Sequence, residues 1–339
     1  MKRFERLLLL VVVVGLAFGV VFYERPLWVQ QQGIHFGLFL HRVQSNYVMT
    51  PEGRVHYYEA EPRISGGGVP LVLVHGLADR DESWAPMLER LKKAGFHVYA
   101  PDLLGYGRSP KPSDSDYSIS TQEQFVADFI QSIGLQKTDV GGWSMGGWIA
   151  LKLAIDHPDI VDRVVVYDSA GIRHQLVGGA QIFHPTDGAS LQRLADLLEP
   201  HAKPMPEFVR RDALRTMGKG QWVVDRSMAS METGKDLLDG TLRGMTEPLL
   251  IVWGSDDGLL PLSVGQQMHT LDPRSELDVV EGCGHLAPKT CPARVAAATV
   301  AFLKANPAPA GGMQVLTKAR QGKRCIAGLI MTTRSETVH

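Results

Sequence analysis

The chain has 339 residues, 44 % of them hydrophobic, and a formal net charge of −1. That length suits one large α/β domain with a sizeable insertion and is too short for two large independent ones. The near-neutral charge and the lack of a long basic run argue against nucleic acid as a partner. The three cysteines, Cys283, Cys291 and Cys325, show no metal-ligand spacing and are too few for a disulfide framework. Cys283 and Cys291 could pair in an oxidising compartment, with two free thiols as the plainer expectation.

Lys2, Arg3 and Arg6 precede an uncharged, proline-free apolar run over residues 7–22. Its 16 residues lie near the short limit, about 17–25, for a membrane-spanning helix. A signal peptide shares the cationic start, and Ala17-Phe18-Gly19 weakly resembles a cleavage site. The run continues through Val20, Val21 and Phe22, however, where a cleaved peptide should turn polar. An uncleaved anchor over residues 1–23 is therefore expected, with secretion after cleavage as the alternative. The basic residues favour a cytoplasmic N-terminus, which puts the body of the chain on the opposite side of the membrane. No cysteine lies near the end of the run, which excludes a bacterial lipoprotein anchor. Residues 24–46 read as a juxtamembrane segment. Its Trp28, Phe36 and Phe39, interleaved with Arg25, His35 and His41, suit either the lipid interface or packing on the catalytic domain.

Short apolar runs then alternate with helical patterns. Strands are expected at 55–58, 71–74, 97–100, 139–143, 164–167, 249–253 and 276–280, and helices near 82–94, 121–133, 146–157, 263–271 and 290–304. Strands apolar throughout and separated by helices indicate a mostly parallel sheet covered on both faces, hence the α/β class. Residues 170–246 interrupt this alternation with amphipathic stretches such as Leu191, Leu194, Leu197 and Leu198, and read as a helical cap. The core is thus expected over 47–169 and 247–305. The remainder, 306–339, starts with Pro-Ala-Pro-Ala-Gly-Gly after Asn306, turns polar and basic, and is expected to be a disordered tail.

Gly142-Trp143-Ser144-Met145-Gly146 fits the G-x-S-x-G elbow, which puts a serine on a tight strand-to-helix turn with its hydroxyl clear of the sheet. The bare pattern is common. Here a strand precedes it, and Gly147 with an apolar helix follows it, which makes Ser144 the candidate nucleophile. A serine hydroxyl needs a base. Among twelve histidines His285 is best placed, in Cys283-Gly284-His285 after the last expected strand. His75 and His157 are better explained by their turns, and His184 and His201 lie in the cap. Asp257 in Gly254-Ser255-Asp256-Asp257-Gly258 is the expected orienting acid, with Asp256 and, more rarely, Asp168 as alternatives. The order Ser, Asp, His along the chain is the one this elbow fold requires. Two backbone donors for an oxyanion are expected at Met145, next to the nucleophile, and at Leu77, after the 71–74 strand.

Together these residues resemble the α/β-hydrolase superfamily over roughly residues 50–305. Five landmarks occur in the right order. They are His75-Gly76 with Trp84, the run Asp102-Leu103-Leu104-Gly105-Tyr106-Gly107-Arg108-Ser109, the elbow, the 254–261 loop and Gly284-His285. The anchor and cap resemble its membrane-anchored monoacylglycerol-lipase and esterase branch. That resemblance implies an eight-stranded sheet, an acyl-enzyme intermediate on Ser144 and no cofactor. The expected substrate is a lipid-like carboxylic ester such as a monoacylglycerol. The sequence gives no oligomeric state. Trp143 stands where many relatives carry histidine, and Lys289-Thr290-Cys291-Pro292 lacks their usual glutamate. Serine at 144 argues against dehalogenases and epoxide hydrolases, which use aspartate there. Carbon–carbon bond hydrolases and cofactor-free haloperoxidases keep the same triad and remain alternatives, as does a non-catalytic ligand receptor on this fold.

Overall fold

The computed structural model describes residues 2–64 and 66–317. Nine strands form one sheet: β1 Gln44–Thr50, β2 Gly53–Ala60, β3 Val69–Val74, β4 Phe96–Pro101, β5 Thr138–Trp143, β6 Val161–Tyr167, β7 Leu249–Gly254, β8 Glu276–Val280 and β9 Met313–Leu316. Their spatial order is β1-β2-β4-β3-β5-β6-β7-β8-β9, with β1, β2 and β4 antiparallel to their neighbours in that order and the pairings from β4 to β9 parallel.

Side-chain alternation explains the layering. In β3 Leu71 and Leu73 point into one apolar layer while Val72 and Val74 point into the other. The first layer is completed by α3 (Ala85–Lys93) and α11 (Pro292–Lys304), through Leu88, Leu91, Val295 and Phe302. The second is completed by α4 (Ile119–Ser132), α5 (Met145–Asp156) and α9 (Leu262–Leu271), through Phe129, Ile149, Leu153 and Met268. Because both faces are covered, β3 and β7 are apolar throughout and β5 and β6 carry unbroken apolar runs over 140–143 and 164–167.

Two expectations change here. The sheet has nine strands rather than eight, and the ninth comes from the stretch expected to be a disordered tail. Met313–Leu316 adds in parallel to β8, with Val279 opposite Val315, because the edge of β8 offers unpaired backbone groups to a short apolar run. The rest of the expected tail, 318–339, lies outside the described residues. Cys283 and Cys291 are joined as a disulfide instead of standing as two thiols. The turn into α10 (Ala287–Thr290) and the start of α11 bring their Cα atoms within 6.5 Å.

Between β6 and β7 lie α6 (Gly188–Leu198), α7 (Glu207–Gly218) and α8 (Gln221–Glu232). At the other end of the chain, α1 (Lys2–Glu24) is apolar and exposed along its length, and Pro26 starts α2 (Pro26–Leu40). Helix α7 holds the elbow between them. Buried Asp212 accepts the Leu27 amide at 3.0 Å and an Arg215 N–H at 2.6 Å, and the ring of Phe208 stacks on Tyr23 at 5.5 Å. Asp212 thus caps the start of α2 from a distance. Asp212→Ala leaves that amide without its acceptor and should destabilise the α2 docking by about 1–3 kcal/mol. Faster limited proteolysis between α1 and α2 is the expected readout, and an unchanged cleavage rate would count against the cap.

Candidate active site

The elbow is built by glycine. Ser144 ends β5 with φ 57° and ψ −119°, a left-handed conformation that most residues avoid, and starts α5. A Cβ at Gly142 would overlap the Gly146 carbonyl, one at Gly146 would overlap the Val74 carbonyl, and one at Gly147 would overlap the Ser169 hydroxyl. Each is a place where backbone crosses backbone or side chain too closely for any other residue. The turn is pinned by Ser144 N–H donating to the Tyr167 carbonyl at 3.0 Å. Ser144 is consequently part-exposed on the wall of a cavity of about 720 Å³.

Two other loops converge on the same end of the sheet. After β7, Asp257 is buried and its Oδ1 accepts the Leu259 and Leu260 amides, each at 2.9 Å. Its Oδ2 is 2.8 Å from Nδ1 of His285, which follows β8 and is 3 % exposed. Nδ1–H donating to this carboxylate leaves Nε2 as the proton acceptor. Asp256, the neighbouring alternative, turns away: its Oδ2 meets Nε2 of His201 in the cap at 2.6 Å, and its Oδ1 accepts the Ser255 hydroxyl. The structure therefore brings Asp257 and not Asp256 to His285. The Ser144 hydroxyl makes no hydrogen bond among the described residues; such contacts tighten when substrate is bound.

Leu77 and Met145 both line the cavity beside Ser144. The Met145 amide opens α5 and is one of the donors a helix leaves unpaired at its start. His75 is fully buried and fixed in place: Nδ1 donates to the Gly76 carbonyl at 2.9 Å and Nε2 accepts the Leu103 amide at 3.0 Å. Burial lowers its pKa, so it stays neutral and braces the loop carrying Leu77.

Two residues with a part here, His56 and Asp81, were not visible in the sequence, and they meet Asp102 in one buried network. Asp102 accepts the Asp81 amide through Oδ1 and the Arg108 amide through Oδ2, and His56 Nδ1 lies 2.6 Å from Asp81 and 3.3 Å from Asp102. All three side chains are buried. Burial pushes Asp81 up to about 7, while Asp102 stays below the ordinary range because, against its own burial, the His56 contact and the Arg108 and Asp81 amides favour its charge. This network ties β2 and the turn after β4 to the segment that follows Leu77. Asp102 belonged to a recognised landmark; His56 and Asp81 carried no local signal, since their pairing spans 25 residues.

Trp143 stands where many relatives carry histidine, a position next to Ser144 that suggests a place in the pocket wall. Its ring is instead buried against Trp84, and its Nε1–H donates to the His285 carbonyl at 2.8 Å. It holds the base's loop to the nucleophile's strand. Trp143→Phe should keep most of the packing and orphan that carbonyl, costing about 1–3 kcal/mol. A Tm lowered by several degrees, together with a reduced ester kcat, is expected; an unchanged Tm would remove this role.

The polar groups face an apolar chamber. Met145, Trp148, Leu176, Phe183, Met228 and Leu259 line it, contributed by α5, the cap and the 254–261 loop. A serine hydroxyl on the wall of such a chamber, with a buried Asp257–His285 pair at the same end of the sheet, suits acyl transfer to serine from a substrate with an apolar acyl part.

Comparison with known proteins agrees with this fold. The family described as "Alpha/beta hydrolase family" matches residues 71–298. The chain is 29 % identical over 241 residues to 2-hydroxymuconate semialdehyde hydrolase of Pseudomonas sp. (strain CF600), covering 65 % of this chain and 82 % of that one. It is 27 % identical over 235 residues to Lipase 1 of Psychrobacter immobilis, covering 65 % and 72 %. Among solved structures, a membrane phospholipase A described as a bacterial virulence factor superposes with a TM-score of 0.74 at 26 % identity, covering 89 % of this chain and 98 % of that one.

Proposed function

We propose that this chain, which belongs to the α/β-hydrolase family, is a membrane-tethered serine hydrolase that cleaves carboxylic esters of lipids. The observation that carries the reading is the pairing of Asp257 with His285 at 2.8 Å, on the same sheet end as the strained Ser144 elbow, whose serine lines the chamber.

In this reading Ser144 Oγ attacks the ester carbonyl while His285 Nε2 takes its proton. Asp257 stabilises the imidazolium, and the Met145 and Leu77 amides hold the oxyanion. Collapse of that intermediate expels the alcohol, which leaves with the proton from His285. Water, deprotonated by the same ring, then attacks the acyl-enzyme, and the fatty acid departs from Ser144. No cofactor enters any step.

The lipid character of the substrate is supported by the chamber's lining, by the lipase and phospholipase likenesses and by the anchor. Residues 3–24 form a helix long and apolar enough to cross a membrane, and none of it is buried in the protein. Next to it, α2 turns Leu38 inward and leaves Trp28, Phe36 and Phe39 exposed, as a helix lying at a lipid interface does. The basic residues before the span favour a catalytic domain outside the cytoplasm, and the Cys283–Cys291 bond suits an oxidising compartment. Core residues 47–169 and 247–305, with the 170–246 segment as a cap, form the working unit in this account.

A second reading is favoured by the semialdehyde-hydrolase relative: cleavage of a carbon–carbon bond in a small soluble substrate. Assays against monoacylglycerols, short nitrophenyl esters and vinylogous diketones separate the two. Turnover of the esters is expected, and turnover of diketones alone would replace the first reading with the second.

A further inference from the structure

One buried carboxylate at this end of the sheet has no part in the chemistry above. Asp168 follows β6, is fully buried and holds a positive φ of 44°. Its Oδ1 accepts the Gly254 amide at 2.7 Å, where β7 passes into the loop carrying Asp257. Its Oδ2 is buried with no hydrogen-bond partner among the described residues.

Asp257 differs in kind. It collects two amides on one oxygen and the His285 ring on the other, which is the support a buried anion needs. Asp168 has one amide and, among the described residues, no cation paired with it. The charged groups that bear on it are both acids: Asp257 from the 254–261 loop, and Glu199 from the cap segment lying on Gly284. An unpaired buried carboxylate beside two others gives up its charge instead of carrying it.

We propose that Asp168 is a positioning residue held as the neutral acid, bracing the start of the 254–261 loop so that Asp257 alone presents negative charge to His285. The inference rests on the Ser144–Asp257–His285 reading. Burial, and then the field of Asp257, push the Asp168 pKa well above the ordinary carboxylate range, in the same direction as the geometry. An ionised Asp168 would set a second buried anion repelling Asp257; a missing side chain would release Gly254.

The test compares Asp168→Asn, which keeps shape and neutrality, with Asp168→Ala, which keeps neither the brace nor the polar contact. Infrared difference spectra of wild type minus Asp168→Asn at neutral pH should show the carbonyl stretch of a protonated carboxylic acid. The ester kcat of Asp168→Asn should exceed that of Asp168→Ala by about tenfold or more. A carboxylate band in place of the acid band would overturn the proposal, as would an asparagine variant as slow as the alanine one. If Asp168→Ala does not fold, the infrared comparison still decides. It needs no turnover, so its failure is distinguishable from a failure of the serine-hydrolase reading, which shows as wild-type protein inert toward every ester.

Discussion

Replacing Ser144 by alanine lowers kcat on a short nitrophenyl ester by about 10⁴- to 10⁶-fold, because residues that act as one unit lose nearly all of their effect together. What survives is catalysis by the two amides and by binding alone. Substrate affinity should change little, since the hydroxyl acts chiefly in the transition state. The fold should also hold. The elbow is set by Gly142, Gly146 and Gly147 and by the backbone bond to Tyr167, none of which involves the serine side chain. A thermal unfolding curve overlaying that of wild type, beside lost turnover, is the expected pair of results. A variant that keeps more than about a hundredth of the activity would move the nucleophile elsewhere.

The second large effect separates two adjacent acids. Asp257→Asn should lower kcat by about 10⁴-fold, since an amide facing Nδ1 can turn its NH₂ toward the ring and select the wrong tautomer. Oδ1 of Asp257 also holds the Leu259 and Leu260 amides, and asparagine's carbonyl can keep these, so stability should fall much less than activity. Asp256→Asn weakens a part-exposed contact with His201 and leaves the Asp257–His285 pair untouched. It should change kcat by less than about threefold, because an exposed ion pair contributes little. Steady-state kinetics on both variants checks the assignment. The reverse pattern, with Asp256 essential and Asp257 dispensable, would contradict the observed geometry.

The parts of this site legible in the sequence are those whose constraint is local. Gly142, Ser144 and Gly146 must sit two residues apart because one turn creates all three demands, and a strand before them and a helix after them complete the signal. His285 was legible because it stands in a Gly-His loop just after the last expected strand, 276–280, and Asp257 because it follows the wholly apolar run of β7. The sheet's parallel character was legible for the same reason. β1 was not, since Gln44–Thr50 is polar and half-exposed, and its strand character comes only from pairing with β2. β9 was hidden by a Pro- and Gly-rich approach that reads as tail. His56 with Asp81, Trp143 with the His285 carbonyl, and Asp212 with the Leu27 amide are contacts between distant parts of the chain. Periodicity and spacing carry no information about such pairs; only the folded topology does.

The central claim is covalent chemistry on Ser144. Wild-type protein incubated with a fluorophosphonate, digested and sequenced by mass spectrometry should carry one phosphonyl group, on the peptide containing Ser144. Labelling should fail in Ser144→Ala. A folded wild type that takes up no label at neutral pH, or takes it on a different residue, would contradict the account.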